Sequence, residues 1–140
     1  MRIALDTNVL VAAFIAHGNC NELLEYCIVR HEVILSKFIL GELLDVLTRK
    51  FGFTRAEAHA AVRLLRTRTR LIDPAPLPVP VCRDPDDDTI LATARTAECD
   101  AIVTGDKDLT DLKHYEGIRI LTPSEFWEFE NEATENADCV

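Results

Sequence analysis

Residues 3–8, Ile-Ala-Leu-Asp-Thr-Asn, decide the fold, because they combine a short apolar strand, an acid at its end and the start of a helix. The same order returns at Ala101-Ile102-Val103-Thr104-Gly105-Asp106. Two further runs, Glu32–Leu35 and Ile118–Leu121, are also short and apolar, as strands of a buried sheet are. Because helical segments separate these runs, the pattern predicts a parallel sheet with helices on both faces. We therefore expect an α/β fold, a three-layer α/β/α domain with a central parallel sheet.

Capping signals predict where several helices begin. Asn21 and Ser36 are each suited to cap a helix, and the helix after Ser36 is predicted to reach about Phe51. Thr54-Arg55-Ala56-Glu57 and Thr122-Pro123-Ser124-Glu125 both match the capping box, in which the first and fourth residues satisfy each other's backbone amides. The sequence predicts one domain over residues 1–130, followed by an acidic tail at 131–140 that we expect to be disordered.

Length and composition are those of an ordinary globular domain. The 140 residues are 48% hydrophobic, and no apolar run reaches the roughly 18 residues of a membrane span. The N-terminus leads directly into a strand, which predicts no signal peptide and a cytoplasmic location. The five cysteines show no C-x-x-C spacing, which argues against a zinc ribbon or a disulfide framework.

Acids stand where two of the predicted strands end. Asp6 follows the first strand, and Asp106 follows the penultimate strand. The carboxyl ends of parallel strands meet at one edge of a sheet, which is where α/β folds bind ligands. Carboxylates gathered there repel one another unless a cation joins them, and oxygen ligands suit Mg²⁺ or Mn²⁺. The pattern predicts a metal-dependent phosphoryl-transfer site, and we interpret the chain as a nuclease.

Helical phasing selects further acids for this site. Glu42 lies at the edge of the apolar stripe of its predicted helix, and glutamate is rarely buried without a partner. The run Asp84-Pro85-Asp86-Asp87-Asp88 holds more acids than the dipole of the following helix explains. Asp87 lies on the apolar face of that helix and Asp88 on a mixed face. Phasing therefore favours Asp87 as the inward ligand, with Asp88 close behind.

Polar neighbours complete the predicted site. Thr104 can donate its hydroxyl to a carboxylate or a phosphate, and Asn8 can orient the carboxylate of Asp6. Asp108 can cap the turn that follows Asp106. These three residues are therefore expected to support the site.

The net charge of −9 is unusual for an enzyme that acts on nucleic acid, since such proteins usually carry a basic surface. Bound metal would neutralise several of the acids, and the basic residues are clustered. Arg63, Arg66 and Arg70 would share one face if the helix predicted to run to about Arg66 continued to residue 70. That face is either a surface that binds RNA or a partner, or an ordinary solvated helix face.

Other chemistries lack their motifs. The sequence has no H-E-x-x-H, no G-x-S-x-G and no Walker loop. Phosphatases with an aspartyl nucleophile usually carry a second aspartate two residues after the first, where this chain has Asn8. A binding module whose acids hold a metal only structurally, with weak or lost nuclease activity, is the alternative to the enzyme.

Taken together, these residues resemble the PIN-domain family, the metal-dependent ribonucleases that include many toxins of toxin–antitoxin pairs. The resemblance rests on three motifs and on Glu42, which occur in the order and separation that the family shows. The motifs are Ala4-Leu5-Asp6-Thr7-Asn8-Val9-Leu10, Asp84-Pro85-Asp86-Asp87-Asp88 with Ile90-Leu91-Ala92, and Ile102-Val103-Thr104-Gly105-Asp106-Lys107-Asp108-Leu109.

The resemblance implies a Mg²⁺- or Mn²⁺-dependent ribonuclease and carries metal-ligand roles onto Asp6, Glu42 and Asp106, with Thr104 as a supporting hydroxyl. One more family acid belongs near the start of the helix after residue 84. Counting residues back from Thr104 without gaps favours Asp88 as this acid, whereas helical phasing favours Asp87. The resemblance also implies a homodimer and a small antitoxin partner.

The last predicted helix offers an apolar surface. Phe126, Trp127 and Phe129 either pack on the core or form a surface for a second copy or an antitoxin.

Overall fold

Six strands form one mixed sheet in the computed structural model, which describes residues 1–16 and 18–138. The order across the sheet is β3-β2-β1-β4-β6-β5. The pairs that join β3, β2, β1, β4 and β6 are parallel, as predicted, and β5 pairs with β6 antiparallel. The strands are β1 (Arg2–Leu5), β2 (Glu32–Leu35), β3 (Arg70–Leu71), β4 (Ala101–Val103), β5 (His114–Tyr115) and β6 (Ile118–Leu121).

The sequence did not predict β5, which adds an antiparallel edge strand to the predicted central parallel sheet. Only Glu116 and Gly117 separate Tyr115 from its partner Ile118. Both loop residues have positive φ, 47° and 82°. Such a two-residue loop matches the right-handed twist of a hairpin and reverses the chain at once, so the strand that it joins runs antiparallel.

Helices cover both faces of the sheet. They are α1 (Thr7–Ile15), α2 (Asn19–Arg30), α3 (Lys37–Arg49), α4 (Arg55–Arg68), α5 (Pro85–Thr96), α6 (Lys107–Thr110) and α7 (Pro123–Asp138). The predicted caps at Ser36, Thr54 and Thr122 are present as side-chain hydrogen bonds to backbone amides. Asn21 is not a cap, because α2 begins two residues earlier and the Asn21 side chain donates to the carbonyl oxygen of Ala13 at 2.9 Å.

The core lies between the sheet and its helices. Ile3, Ala4 and Leu5 of β1 have no exposed surface. Phe126 of α7 is also fully buried and meets the ring of Tyr26 edge to face. Burial of one such side chain stabilises the fold by roughly 1.5–3 kcal/mol. The apolar face of α7 therefore packs on the core, which was one of its two interpretations.

The last helix continues into the segment that the sequence predicted to be a disordered tail. It extends to Asp138, and residues 139–140 lie outside the described part of the chain. Because Phe126 and the buried Glu130 already fix the first turns of α7, adding further residues requires no new nucleation.

No helix within the described residues is long and apolar enough to cross a membrane.

Candidate active site

The two central strands bring the first acid of the site against its supporting threonine. In the parallel pair of β1 and β4, Leu5 lies opposite Val103. The next residues, Asp6 and Thr104, therefore leave the sheet side by side. The buried Thr104 hydroxyl donates to Asp6 Oδ2 at 2.7 Å. Sequence reasoning named Thr104 as a supporting hydroxyl, and the structure places it in that contact.

Asp6 is held rigidly from both sides of the edge. Its Oδ1 accepts from the backbone N–H of Thr7 at 2.8 Å, which caps α1, and Asn8 Nδ2 lies 3.4 Å from its Oδ2. Asn8 Oδ1 in turn accepts from the backbone N–H of Gly105 at 3.1 Å and so ties β1 to the loop after β4. Burial raises the pKa of Asp6, the bonds from Thr104 and Thr7 oppose that rise, and the charge of Asp106 adds to it.

Glu42 reaches the same site from α3. Its Oε1 accepts from the Thr7 hydroxyl at 2.8 Å, which joins α3 to the start of α1. Burial raises the pKa of Glu42, and the charges of Asp6, Asp86 and Asp84 raise it further against the bond from Thr7. Glu42 thus lines the same cleft as Asp6, Asp84 and Asp86.

Asp87 and Asp88, which the sequence left as alternatives, point to different surroundings. Asp87 lines the cleft with the other acids, and burial and the neighbouring Asp106 raise its pKa to about 7. The Asp88 carboxylate instead accepts from the backbone N–H groups of Cys82 at 2.8 Å and Val81 at 3.2 Å. Asp88 therefore fixes the segment before α5, while Asp87 faces the site.

The acids after β4 are also separated by their contacts. Asp106 caps the short α6 by accepting from the backbone N–H of Asp108 at 2.9 Å. One carboxylate oxygen from each of Asp87, Asp106 and Asp108 lies within 4.8 Å of the others. Both oxygens of Asp108 already accept from Arg83 Nη2, at 2.8 and 2.9 Å. Asp108 therefore has a cationic partner, whereas Asp87 and Asp106 face each other.

Asp6, Glu42, Asp87 and Asp106 line one cleft of about 440 Å³ at the carboxyl edge of the sheet, and Asp88 and Asp108 do not. Lys50 is the one cation among the described residues that line it. The lining residues are Asp6, Thr7, Asn8, Val11, Ala12, Ile15, Glu42, Val46, Lys50, Phe51, Asp84, Asp86, Asp87 and Asp106. Carboxylates that raise one another's pKa, all offering oxygen, are a donor set that fits Mg²⁺ or Mn²⁺.

Sequence reasoning missed three residues of this region. Thr7 bridges two of the acids, Lys50 lies on the cleft wall, and Arg83 holds Asp108. Lys50 had a local signal, because it follows Glu42 by eight residues and so lies on the same face of α3 as it leaves the helix. Arg83 had no such local signal, because its partner Asp108 is 25 residues away in the sequence.

The predicted basic face divides into two environments. Arg63 and Arg66 line a second cavity of about 450 Å³ between α3 and α4, together with Lys37 and His59. The predicted helical face does not include Arg70, because α4 ends at Arg68 and Arg70 belongs to β3, where it pairs with Glu32 at 3.1 Å. Arg63 and Arg66 therefore share a basic groove, and Arg70 is already neutralised at another place.

A family model described as PIN domain matches residues 2–108, which include every acid of the cleft. The chain belongs to the PIN-domain family. No curated protein matches this PIN domain significantly.

Several solved structures share the fold. The VapBC2 complex of Rickettsia felis, bound to a DNA fragment from its promoter, has a TM-score of 0.64 and 16% identity, covering 87% of this chain and 98% of that one. VapC20 of Mycobacterium tuberculosis, a Sarcin-Ricin loop cleaving toxin, has a TM-score of 0.59 and 18% identity, and the match covers 84% of this chain and 98% of that one. VapBC-1 of nontypeable Haemophilus influenzae has a TM-score of 0.61 and 13% identity, and the match covers 89% of this chain and 99% of that one. At these identities the likeness shows the architecture of the PIN domain alone.

Proposed function

We propose that this PIN domain is a Mg²⁺- or Mn²⁺-dependent endoribonuclease that hydrolyses RNA phosphodiester bonds. The observation that carries the proposal is the cleft, to which four separate segments of the chain deliver carboxylates. Within the described residues, none of the carboxylates that line it forms a salt bridge. Acids in such an arrangement destabilise the fold unless a cation joins them. The PIN-domain family match supports the reaction class.

Asp6, Asp87 and Asp106 are the ligands that we assign to the cation, with Glu42 as a further ligand from α3. Asp88 is assigned a positioning role, because its oxygens are engaged by Val81 and Cys82. A divalent cation at such a site lowers the pKa of a bound water and stabilises charge on the phosphodiester.

The protein's own contribution is to hold the carboxylates in place before substrate arrives. Thr104 and the Thr7 amide each fix one oxygen of Asp6, and the Thr7 hydroxyl fixes Glu42. Such preorganised groups need little rearrangement during the reaction, which is how electrostatic catalysis lowers a barrier. No side-chain nucleophile is required.

A cleavage assay with single-stranded RNA and titrated Mn²⁺ tests the proposal. Wild-type protein should cut the RNA only with the metal present, and Asp6→Asn should abolish cleavage while it keeps the fold. Asp45→Asn is a matched control, because Asp45 lies exposed on α3 in an ion pair with Arg49. Full activity of Asp6→Asn would remove Asp6 from the site. Purified wild type that binds RNA without Mn²⁺-dependent cleavage would favour a binding module.

We also propose that the enzyme is the toxin of a toxin–antitoxin pair, acting in the cytoplasm as a homodimer. The similar structures from Rickettsia felis and Haemophilus influenzae are VapBC complexes, and another is FitAcB from Neisseria gonorrhoeae.

An exposed apolar groove supports a protein partner. Val29 and Leu64 are 78% and 47% exposed and lie in one cavity between α1, α2 and α4. Expression of the wild type should arrest growth, Asp6→Asn should not, and a partner gene beside it should relieve the arrest. Growth unaffected by active enzyme would contradict the toxin.

A further inference from the structure

The cleft has an apolar half that cation binding does not need. Ile15 at the end of α1, Val46 on α3 and Phe51 just after α3 line it beside the acids. Ile15 is 41% exposed and Phe51 is 45% exposed, although both are large hydrophobic side chains. Exposed aromatic surface inside a polar cleft is typical of a binding surface.

A cation, Lys50, also lines the cleft. Glu42, Val46 and Lys50 are spaced four residues apart, so they follow one another along a single face of α3 and its end. Phe51 comes directly after Lys50. The wall therefore presents, in order, a carboxylate, an aliphatic side chain, an ammonium group and an aromatic ring.

We infer that Phe51 stacks a nucleobase of single-stranded RNA next to the phosphate that is cut, and that Lys50 binds a phosphate of the same strand. The inference rests on the proposed function and specifies its substrate. A phosphodiester held at the acids must continue along the cleft, and the wall there offers what one nucleotide presents: a positive charge for its phosphate and an aromatic face for its base.

Single-stranded RNA fits this wall and duplex RNA does not. In a duplex the base faces are already stacked on one another, whereas loops and single strands can place an unstacked base on an aromatic side chain. Such stacking tolerates any base, because every base has a π-face. Phe51 therefore contributes affinity for an unpaired strand without selecting a sequence.

Binding of two oligonucleotides tests the stacking role. One is a single-stranded oligoribonucleotide, and the other has the same length and phosphate charge but lacks its bases. Fluorescence anisotropy in Mn²⁺ would give their affinities for proteins that carry Asp6→Asn to prevent cleavage, with Phe51 retained or changed to Ala or Trp. Val79→Ala is a matched control, because Val79 is 64% exposed outside the cleft.

Phe51→Ala should weaken binding of the intact strand about tenfold, within the range known for aromatic stacking, and leave binding of the baseless strand unchanged. Phe51→Trp and Val79→Ala should retain affinity for both strands. If Phe51→Ala weakened the binding of both strands equally, or of neither, the stacking role would be overturned. Unchanged binding of both strands would instead favour a protein partner at this wall.

The phosphate role of Lys50 is separable. Lys50→Ala should weaken the binding of both oligonucleotides by the same factor, and Lys50→Arg should retain the wild-type affinity for both. Unchanged binding by Lys50→Ala would overturn this role. The proposed function fails separately, if wild type cuts no RNA in Mn²⁺, since the binding comparison does not depend on cleavage. Because Phe51 is half-exposed, Phe51→Ala should melt at the wild-type temperature.

Discussion

Both edges of the sheet carry acids, but in different surroundings. At the amino edge, Glu32 pairs with Arg70 at 3.1 Å and with Arg2 at 3.5 Å, and Asp100 accepts from the backbone N–H of Arg2 at 2.9 Å. The buried Glu130 of α7 lies near the same edge and accepts from the Tyr26 hydroxyl at 2.7 Å. Each of these three acids has a hydrogen-bond or ion-pair partner within the protein.

At the carboxyl edge the acids chiefly face one another. Asp6, Glu42 and Asp87 all have raised pKa values, and in each case other carboxylates contribute to the rise after burial. Their hydrogen bonds come from hydroxyl and amide groups, which orient a carboxylate without cancelling its charge. At the amino edge Glu32 is paired with two arginines, whereas the acids of the carboxyl edge raise one another's pKa, and there we propose that a cation binds.

The largest difference between the edges should appear in activity. Asp106→Asn should lower kcat/KM for RNA in Mn²⁺ on the order of 10²–10³-fold, because it removes a charge from the proposed cation site. Asp100→Asn is the matched change at the amino edge and should leave kcat/KM unchanged. Steady-state cleavage kinetics would check both, and similar losses in the two variants would erase the distinction.

For stability, the larger effect should come from an acid near the amino edge. Glu130→Ala should lower the free energy of unfolding by about 1–3 kcal/mol, because it leaves the half-buried Tyr26 hydroxyl and the His31 ring without their hydrogen-bond partner. The specific activity of the folded protein should not change. Urea denaturation would measure the effect, with the exposed Glu128→Ala on the same helix as control. A loss no larger than that of Glu128→Ala would mean that Glu130 does not anchor α7.

The neighbouring pair Asp87 and Asp88 should shift stability in opposite directions. Asp88→Ala should lower the free energy of unfolding by about 1–2 kcal/mol, since the amides of Val81 and Cys82 lose their acceptor. Asp87→Asn should raise the stability of the metal-free protein at pH 8, because it relieves repulsion with Asp106. Thermal unfolding in EDTA would compare them, and destabilisation by both changes would place Asp87 in a structural role.

The smallest expected effect is on pH dependence. The pKa of Asp87 rises from 3.8 to about 7 in the fold, so between these values the folded protein holds a proton that the unfolded chain has lost. Stability of the metal-free protein should therefore fall as the pH rises through that window. We expect the melting temperature to drop by roughly a few degrees between pH 5.5 and 8, and less in Asp87→Asn. Parallel curves for the two proteins would contradict the raised pKa.

Local sequence patterns predicted most of the scaffold and part of the site. The strands Glu32–Leu35 and Ile118–Leu121 have the predicted bounds, because a buried strand needs a continuous apolar run. Glu42 was found by its helical phase. The strand β5 was missed, because two residues carry no periodic pattern and the hairpin depends on backbone angles at Glu116 and Gly117.

Long-range contacts account for what the sequence could not predict. The role of Asp88 depends on the backbone amides of Val81 and Cys82, which belong to an irregular segment without a readable pattern. The burial of Glu130 depends on Tyr26 and His31, about a hundred residues away in sequence. Phasing places a residue on a face of its own helix, but not the partner that this face will meet.

Anomalous diffraction from crystals soaked in Mn²⁺ is the most direct test of the central claim that the unpaired acids bind a divalent cation. We expect a peak in the cleft, within about 2.0–2.4 Å of carboxylate oxygens from Asp6, Asp87 and Asp106. The same crystals should show no peak at Glu32 or Asp100 of the amino edge. A cleft without manganese at saturating concentration, with these carboxylates turned apart, would contradict the claim.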